Sequence, residues 1–334
     1  MHTVPLGRTG LSVSKLGLGA LFVKSENASL DEAKRAVARA GELGVSYLDT
    51  APGYGDSEEV VGRCLAEAGG DWVVSTKLGG RGHGGRPFDP KDVDALVGSV
   101  ETSLKHLGRE RVDVLYVHEP DRPGQYGWWD DFATADGPVI EAGERLKDRG
   151  LVGHLGVGGT TTTEMAHLVR TGRFGVLLTA FHYNALFREA AEELLPAAGA
   201  AGTGVVLGSP LQQGLFTGRK PALVADDVWW LPAARKRQLA AFWDLCDEAG
   251  MSVPELAMRF AAGSPAVDTV LMGPKSVAEV EANVAAVEAG PLPADVLAKL
   301  DEIAALLPRR PYGEPVGLGW YANDPGGYNG QGNL

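Results

Sequence analysis

Residues 29–49 read SLDEAKRAVARAGELGVSYLD, and this stretch decides the fold. Ser29-x-x-Glu32 is a capping box, in which the serine side chain and the glutamate side chain satisfy the amides that open a helix. Ala33, Ala36, Val37, Ala40 and Leu43 follow at helical spacing. Gly44 then breaks the pattern, and Val45–Leu48 is a short apolar run suited to a strand buried on both faces. One helix followed at once by one buried strand is one repeat of an alternating βα pattern.

Working outward, the same unit recurs along the chain. Apolar runs stand at Leu16–Leu21, Val45–Leu48, Trp72–Ser75, Val112–Val117, Val152–Val157, Val176–Ala180, Gly204–Leu207 and Val267–Leu271. Between them lie helix starts. Asp89-Pro90 precedes a stripe of Val93, Leu96, Val97, Val100, Leu104 and Leu107, and Thr161-x-x-Glu164, Ser252-x-x-Glu255 and Ser276-x-x-Glu279 are further capping boxes. Eight such units predict a closed (β/α)8 barrel, a fold of about 250 residues to which extended loops add the rest. An open doubly wound sheet would carry an early dinucleotide loop, and Gly17-Leu18-Gly19-Ala20 is too short for G-x-G-x-x-G. Residues 3–15 are expected to form a β-hairpin turning at Gly7–Gly10 and capping the barrel's bottom, and residues 308–334, rich in Gly, Pro, Asn and Tyr, an irregular tail. The whole is read as a single domain over 1–334.

Composition narrows the function. The 334 residues include 31 Lys+Arg and 43 Asp+Glu, a formal charge of −12. Such a surface repels nucleic acid and gives no attraction to anionic lipid. No apolar run reaches the ~18 residues of a membrane span, and the first residues lack the apolar core of a signal peptide. Two cysteines, Cys64 and Cys246, do not make a disulfide scaffold and predict a cytoplasmic protein. Seven His and two Cys show no metal-ligand spacing.

In barrels of this kind the chemistry sits just past the C-terminal ends of the strands. Asp49 and Tyr54 follow the second run, Lys77 the third and His118 the fourth. A phenol, with a pKa near ~10, is a poor acid–base catalyst at neutral pH unless shifted, and an adjacent ammonium is expected to lower it. A carboxylate beside that lysine keeps it charged, and a histidine beside the tyrosine polarises a carbonyl. The set suits protonation of a carbonyl oxygen while another group supplies hydride. Taken singly, each has a plainer reading: Asp49 as a loop anchor, Tyr54 as packing, His118 as a structural histidine, Lys77 as solvated or as a Schiff-base lysine of a lyase or isomerase barrel.

The carrying segments are Gly17-Leu18-Gly19, Leu48–Gly55 (LDTAPGYG), Ser75-Thr76-Lys77, Asp113–His118 (DVLYVH), Ser209–Leu215 (SPLQQGL) and Gly273-Pro274-Lys275-Ser276. In order and spacing, from about residue 3 to about 305, the chain resembles the aldo-keto reductases. The resemblance implies a barrel oxidoreductase, aldose dehydrogenase-like, that uses NADP(H) or NAD(H). It implies Tyr54 as the general acid, tuned by Lys77 and Asp49, with His118 orienting the carbonyl. It also implies a cofactor site of Ser209, Pro210, Leu211, Gln213, Gly273, Lys275, Ser276, Glu279 and Asn283, with Lys275 and Ser276 favouring a 2′-phosphate.

Five residues depart from the family pattern. Glu279 stands where Gln or Arg is common, and its carboxylate would repel a 2′-phosphate or accept ribose hydroxyls. Gly158-Gly159 replaces the Ser-Asn that grips the nicotinamide amide, Ala180 a Gln, and Gly208 a stacking aromatic. Tyr183-Asn184 is an alternative gripping pair. The substrate, a small carbonyl compound or sugar, is expected against Phe22, Trp128, Trp129 and Trp229, with Asp121 and Arg122 as partners for a polyol. Paired tryptophans equally pack loops onto helices. The competing functional reading is a nicotinamide-binding regulatory subunit with little turnover.

Overall fold

The computed structural model describes residues 1–79, 89–121, 126–225, 228, 230–311, 314 and 316–317. The chain opens with a hairpin, β1 (Thr3–Pro5) and β2 (Ser12–Ser14), paired antiparallel. Eight parallel strands follow: β3 (Leu16–Gly19), β4 (Tyr47–Asp49), β5 (Val73–Leu78), β6 (Val112–His118), β7 (Val152–Gly159), β8 (Val176–Ala180), β9 (Gly204–Gly208) and β10 (Thr269–Met272). They close into a barrel in sequence order, β10 pairing with β3. The expected (β/α)8 fold and hairpin are what the structure shows.

Around the barrel lie α1 (Leu30–Glu42), α2 (Ser57–Ala68), α3 (Val93–Leu107), α4 (Pro138–Asp148), α5 (Thr163–Arg170), α6 (Leu194–Ala201), α7 (Pro221–Ala225), α8 (Ala233–Glu248), α9 (Val253–Gly263), α10 (Val277–Glu288) and α11 (Ala294–Ala305). The box at Ser29 forms in full, and Ser252 accepts from the Glu255 amide. Two expected starts differ. Helix α3 is capped by Asp92, whose side chain accepts from the Ala95 amide, three residues past Asp89. The box at Thr161 does not form: α5 begins one residue later, and Asp121 Oδ2 takes the Thr160 and Thr161 amides at 2.7 and 2.6 Å. With its amide held by Asp121, Thr161 has none to give the Glu164 carboxylate, and the reciprocal box is lost.

Leu6, Val13, Tyr47, Val114, Tyr116, Val176, Leu178, Val206 and Leu271 fill the barrel interior. Each buried aliphatic there contributes about 1.5–3 kcal/mol. Leu6 and Val13 come from the hairpin region, which therefore plugs the entry end of the barrel. Gly7, at φ +49°, lies so close that a Cβ would stand 2.2 Å from the Gly204 nitrogen, so only glycine fits. With the bottom sealed, the opposite rim remains for chemistry. Among the described residues no helix is long and apolar enough to cross a membrane.

Candidate active site

Asp49 ends β4 and faces Lys77 on β5, because register pairs Asp49 with Ser75 and places Lys77 two residues on, on the same inward face. Lys77 Nζ donates to Asp49 Oδ2 at 2.5 Å and to the Thr50 carbonyl at 2.8 Å. Both side chains are buried, Lys77 at 2% and Asp49 at 3% exposure. Ser75 Oγ donates to Asp49 Oδ1 at 2.8 Å and accepts from Tyr47 Oη at 3.0 Å, and Tyr47 Oη lies 2.7 Å from Tyr116 Oη. A polar column thus rises through the core and ends on the Asp49–Lys77 pair. Burial works most strongly against the Lys77 ammonium, but Asp49 and Tyr54 together overcome it and hold the lysine above its ordinary value.

Tyr54 is set by the loop between β4 and α2. Its amide donates to the Ala51 carbonyl at 3.1 Å, and its carbonyl accepts the Ser57 amide at 3.3 Å. Gly55, at φ +70°, reverses the chain next to it. The loop is tied down at both ends. Thr50 Oγ1 and Ser57 Oγ lie 2.9 Å apart, Ser57 Oγ donates to the Ala20 carbonyl at 2.8 Å, and Ser25 bonds the Asp56 carboxylate. Beneath it, Glu58 on α2 accepts from Thr76 Oγ1 at 2.6 Å, locking the helix to β5. The result places the Tyr54 ring 4.6 Å below Lys77 Nζ and 5.9 Å from the His118 ring, edge to face at 80°. The four sequence-predicted residues therefore converge on one point of the rim.

The expected lowering of the Tyr54 phenol is not what the surroundings produce. Burial raises it, Lys77 pulls it down, and Asp49 and Glu119 raise it again; the net shift is upward. Desolvation of a phenolate outweighs one ammonium that is itself neutralised by Asp49. The phenol is thus held protonated at neutral pH, the state of a proton donor.

Among the described residues, the rest of the rim is built mostly of glycine. Continuing from His118, the inward positions are Gly158 (paired in register with His118), Ala180, Gly208 (paired with Ala180), Gly273 and Gly19. A Cβ at Gly208 would stand 3.3 Å from Ala180 Cβ, at Gly19 3.3 Å from Leu271 Cβ, and at Gly273 3.0 Å from the Phe22 ring. This cradle, with polar residues on one side and backbone on the other, is shaped for a flat ring laid beside Tyr54, and the residues present fit a nicotinamide. Three of the departures from the family pattern, at Gly158, Ala180 and Gly208, fall on this glycine-rich half. Tyr183 and Asn184 do not line it. The Tyr183 hydroxyl donates to Ser264 Oγ at 3.0 Å; Asn184 is fully buried, its Oδ1 accepting from the Leu186 and Phe187 amides and its Nδ2 donating to Gln212 Oε1.

Beyond the cradle lie the two loops expected to hold phosphates. After β9, Ser209, Pro210 and Leu211 lead into Gln212, Gln213 and Gly214, with Ser209, Gln212 and Gln213 at φ +53°, +48° and +53°. After β10, Gly273-Pro274-Lys275 leads to Ser276, the N-cap of α10, whose hydroxyl accepts from the Glu279 amide. The Glu279 carboxylate accepts from the Lys275 amide at 2.7 Å, one residue short of a reciprocal box. Asn283, a turn further on, donates to the Glu279 carbonyl at 2.7 Å. Lys275 Nζ sits 5.1 Å over the Phe22 ring, which joins this loop to the one after β3.

The aromatic candidates divide. Phe22 stands at the rim. Trp128 is 2% exposed and caps Gly79, which has no room for a Cβ beneath the ring. Trp129 is 7% exposed and packs edge-on to Phe174 at 6.3 Å. Both tryptophans pack as loop anchors. Asp121 is likewise committed to the loop after β7. Trp229, Arg122 and most of the tail beyond Pro311 lie outside the described residues. What sequence reasoning missed is a buried ion pair, Arg235 with Glu314, beside the loop after β9; the two charges stand in unpatterned contexts and nothing local marks them.

Comparison with known proteins bears on the family and the fold. A model of the Aldo/keto reductase family matches residues 15–305. L-galactose dehydrogenase of Arabidopsis thaliana is 31% identical over 294 residues, 84% of this chain and 86% of that protein. A probable voltage-gated potassium channel subunit beta of the same plant is 28% identical over 332 residues, 92% of this chain and 97% of that protein. An aldo-keto reductase of Bacillus halodurans, solved in its holo form, superposes with a TM-score of 0.73 at 27% identity, covering 94% of this chain and 99% of that one. The chain belongs to the aldo/keto reductase family and is an NAD(P)-dependent oxidoreductase.

Proposed function

We propose that the protein interconverts a small carbonyl compound and its alcohol, with sugars of the aldose or lactol type as the substrate class and NADP(H) as the preferred dinucleotide. The observation that carries this is the meeting of Asp49, Lys77, Tyr54 and His118 beside a cradle of bare backbone. When bound, the reduced nicotinamide supplies the hydride. Tyr54 donates its phenolic proton to the carbonyl oxygen, and in the reverse direction takes it back from the alcohol. Lys77 stabilises the phenolate as it forms, and Asp49 keeps Lys77 charged and in place. His118 fixes the carbonyl oxygen within reach of Tyr54. The sugar assignment rests on likeness to the plant galactose dehydrogenase, and Phe22 is the aromatic wall proposed for it. Lys275 and Ser276 are proposed to hold the 2′-phosphate once the Glu279 carboxylate leaves the Lys275 amide. If Glu279 stays, it suits the ribose hydroxyls of NAD(H) instead. Buried Cys64 and Cys246, both free thiols, suit a cytoplasmic setting.

The test is cofactor titration, NADPH against NADH, followed by aldehydes and aldoses monitored by absorbance of the reduced nicotinamide. Wild type turns over part of that panel and Tyr54→Phe does not; equal inactivity of both over a broad panel overturns the reading. A second reading, a nicotinamide-binding subunit of low turnover, is favoured by the channel-subunit relative and by the departures at Gly158, Ala180 and Gly208. Dinucleotide that co-purifies without turnover would support it.

A further inference from the structure

Two buried charges that hydride transfer leaves unused meet where the C-terminal segment crosses α8. Glu314 is 7% exposed and Arg235, on α8, is fully buried. Arg235 Nε donates to Glu314 Oε1 at 2.7 Å and its Nη2 to Oε2 at 3.1 Å, a bidentate pair. Its Nη1 donates to Gln238, which in turn donates to the Ile303 and Ala304 carbonyls. Two residues past Glu314, the Val316 carbonyl accepts from Gln212 Nε2 at 2.8 Å. The other end of that amide, Oε1, accepts from Asn184 at 2.8 Å. Gln212 is therefore gripped on both sides, with no exposure.

Gln212 belongs to the loop after β9, and three of its non-glycine residues hold left-handed backbone. That conformation is disfavoured for side chains other than glycine and persists only where surroundings over-determine it. A buried ion pair is weak evidence for stability, since two apolar residues often do as well; what it supplies is one fixed geometry. We propose that Arg235 and Glu314 are positioning residues which, through Val316 and Gln212, hold the dinucleotide loop Ser209–Gly214 in its binding shape, so that cofactor affinity is set partly by the chain's C-terminal segment. The inference rests on the proposed cofactor site and adds to it a coupling between two segments about a hundred residues apart, as the separation of Gln212 and Val316 shows.

The experiment is fluorescence titration of the full-length protein with NADPH, alongside steady-state kinetics. Glu314→Gln is expected to raise the Kd for NADPH at least ~5-fold, about 1 kcal/mol, while kcat at saturating NADPH stays within ~2-fold. A merely structural role would not divide KM from kcat in this way. Gln212→Ala is expected to raise Kd similarly and leaves the ion pair intact, so it decides the matter should Glu314→Gln fail to fold. The double variant is expected to lose no more than the larger single, because both act on one strap. Unchanged Kd in Gln212→Ala and in folded Glu314→Gln, against a wild type that binds NADPH, overturns the strap alone. A wild type that binds neither dinucleotide overturns the cofactor site and the strap with it.

Discussion

The Asp49–Lys77 pair is a place where stability and catalysis should separate. Its two charges lie 2.5 Å apart with almost no exposure. Removing one partner leaves the other charged in the core, which costs about 3–5 kcal/mol. Asp49→Leu would leave Lys77 with the Thr50 carbonyl and Tyr54 but no carboxylate, and Lys77→Met would leave Asp49 with the Ser75 hydroxyl and no cation. In the double variant the Thr50 carbonyl and the Ser75 hydroxyl each lose a partner, about 1 kcal/mol apiece, and Ser75 retains the Leu48 carbonyl at 3.4 Å. New apolar contact offsets part of this. The double variant is therefore expected within about 2 kcal/mol of wild type, a coupling of at least ~4 kcal/mol against the sum of the singles. Urea denaturation of the four proteins at pH 7 reads this directly. The deficit of Asp49→Leu should also shrink as pH rises, because an unpaired buried lysine has a depressed folded pKa and sheds its proton. Reductase activity should be lost in the double variant despite its stability. Losses that simply add would show that the pair holds the fold rather than serving the site.

Three other outcomes follow from the same site. Tyr54→Phe should lower reduction by about 10²–10⁴-fold, the scale of general acid catalysis, with NADPH affinity unchanged in the same fluorescence titration. Because burial raises the Tyr54 phenol, reduction should hold through neutral pH and alcohol oxidation should rise as pH increases; paired pH–rate profiles check this, and an oxidation rate falling from pH 7 to 9 would contradict it. Glu279→Gln removes a carboxylate from the Lys275 amide and should improve NADPH affinity relative to NADH by several-fold, about 1 kcal/mol at partly screened separations; an unchanged ratio places the 2′-phosphate elsewhere.

How far the sequence carries can be seen residue by residue. Asp49, Lys77 and His118 were legible because a short apolar run marks a buried parallel strand, and the residue past its end is on the rim. Tyr54 was legible through the resemblance of its loop, not through periodicity, since the turns that place it involve Ala51, Ser57 and Ala20. Local signals failed where a distant group intervened. The Thr161 box lost its amide to Asp121, forty residues away in the chain. The Tyr54 shift depended on a competition between burial and charge that no spacing encodes. Trp128 and Trp129, read as pocket walls, pack on Gly79 and Phe174, partners remote in sequence. The Arg235–Glu314 pair, 79 residues apart, has no motif at all.

The central claim is hydride transfer with Tyr54 as proton donor, and isotope tracing tests it most directly. Wild type and Tyr54→Phe are incubated with an accepted aldehyde or aldose and NADPH carrying deuterium at the transferable position, and the alcohol product is weighed by mass spectrometry. The account predicts deuterium on the carbinol carbon from wild type and almost none from Tyr54→Phe. Equal incorporation by the two proteins, or a wild type that binds NADPH and transfers no deuterium, would contradict it.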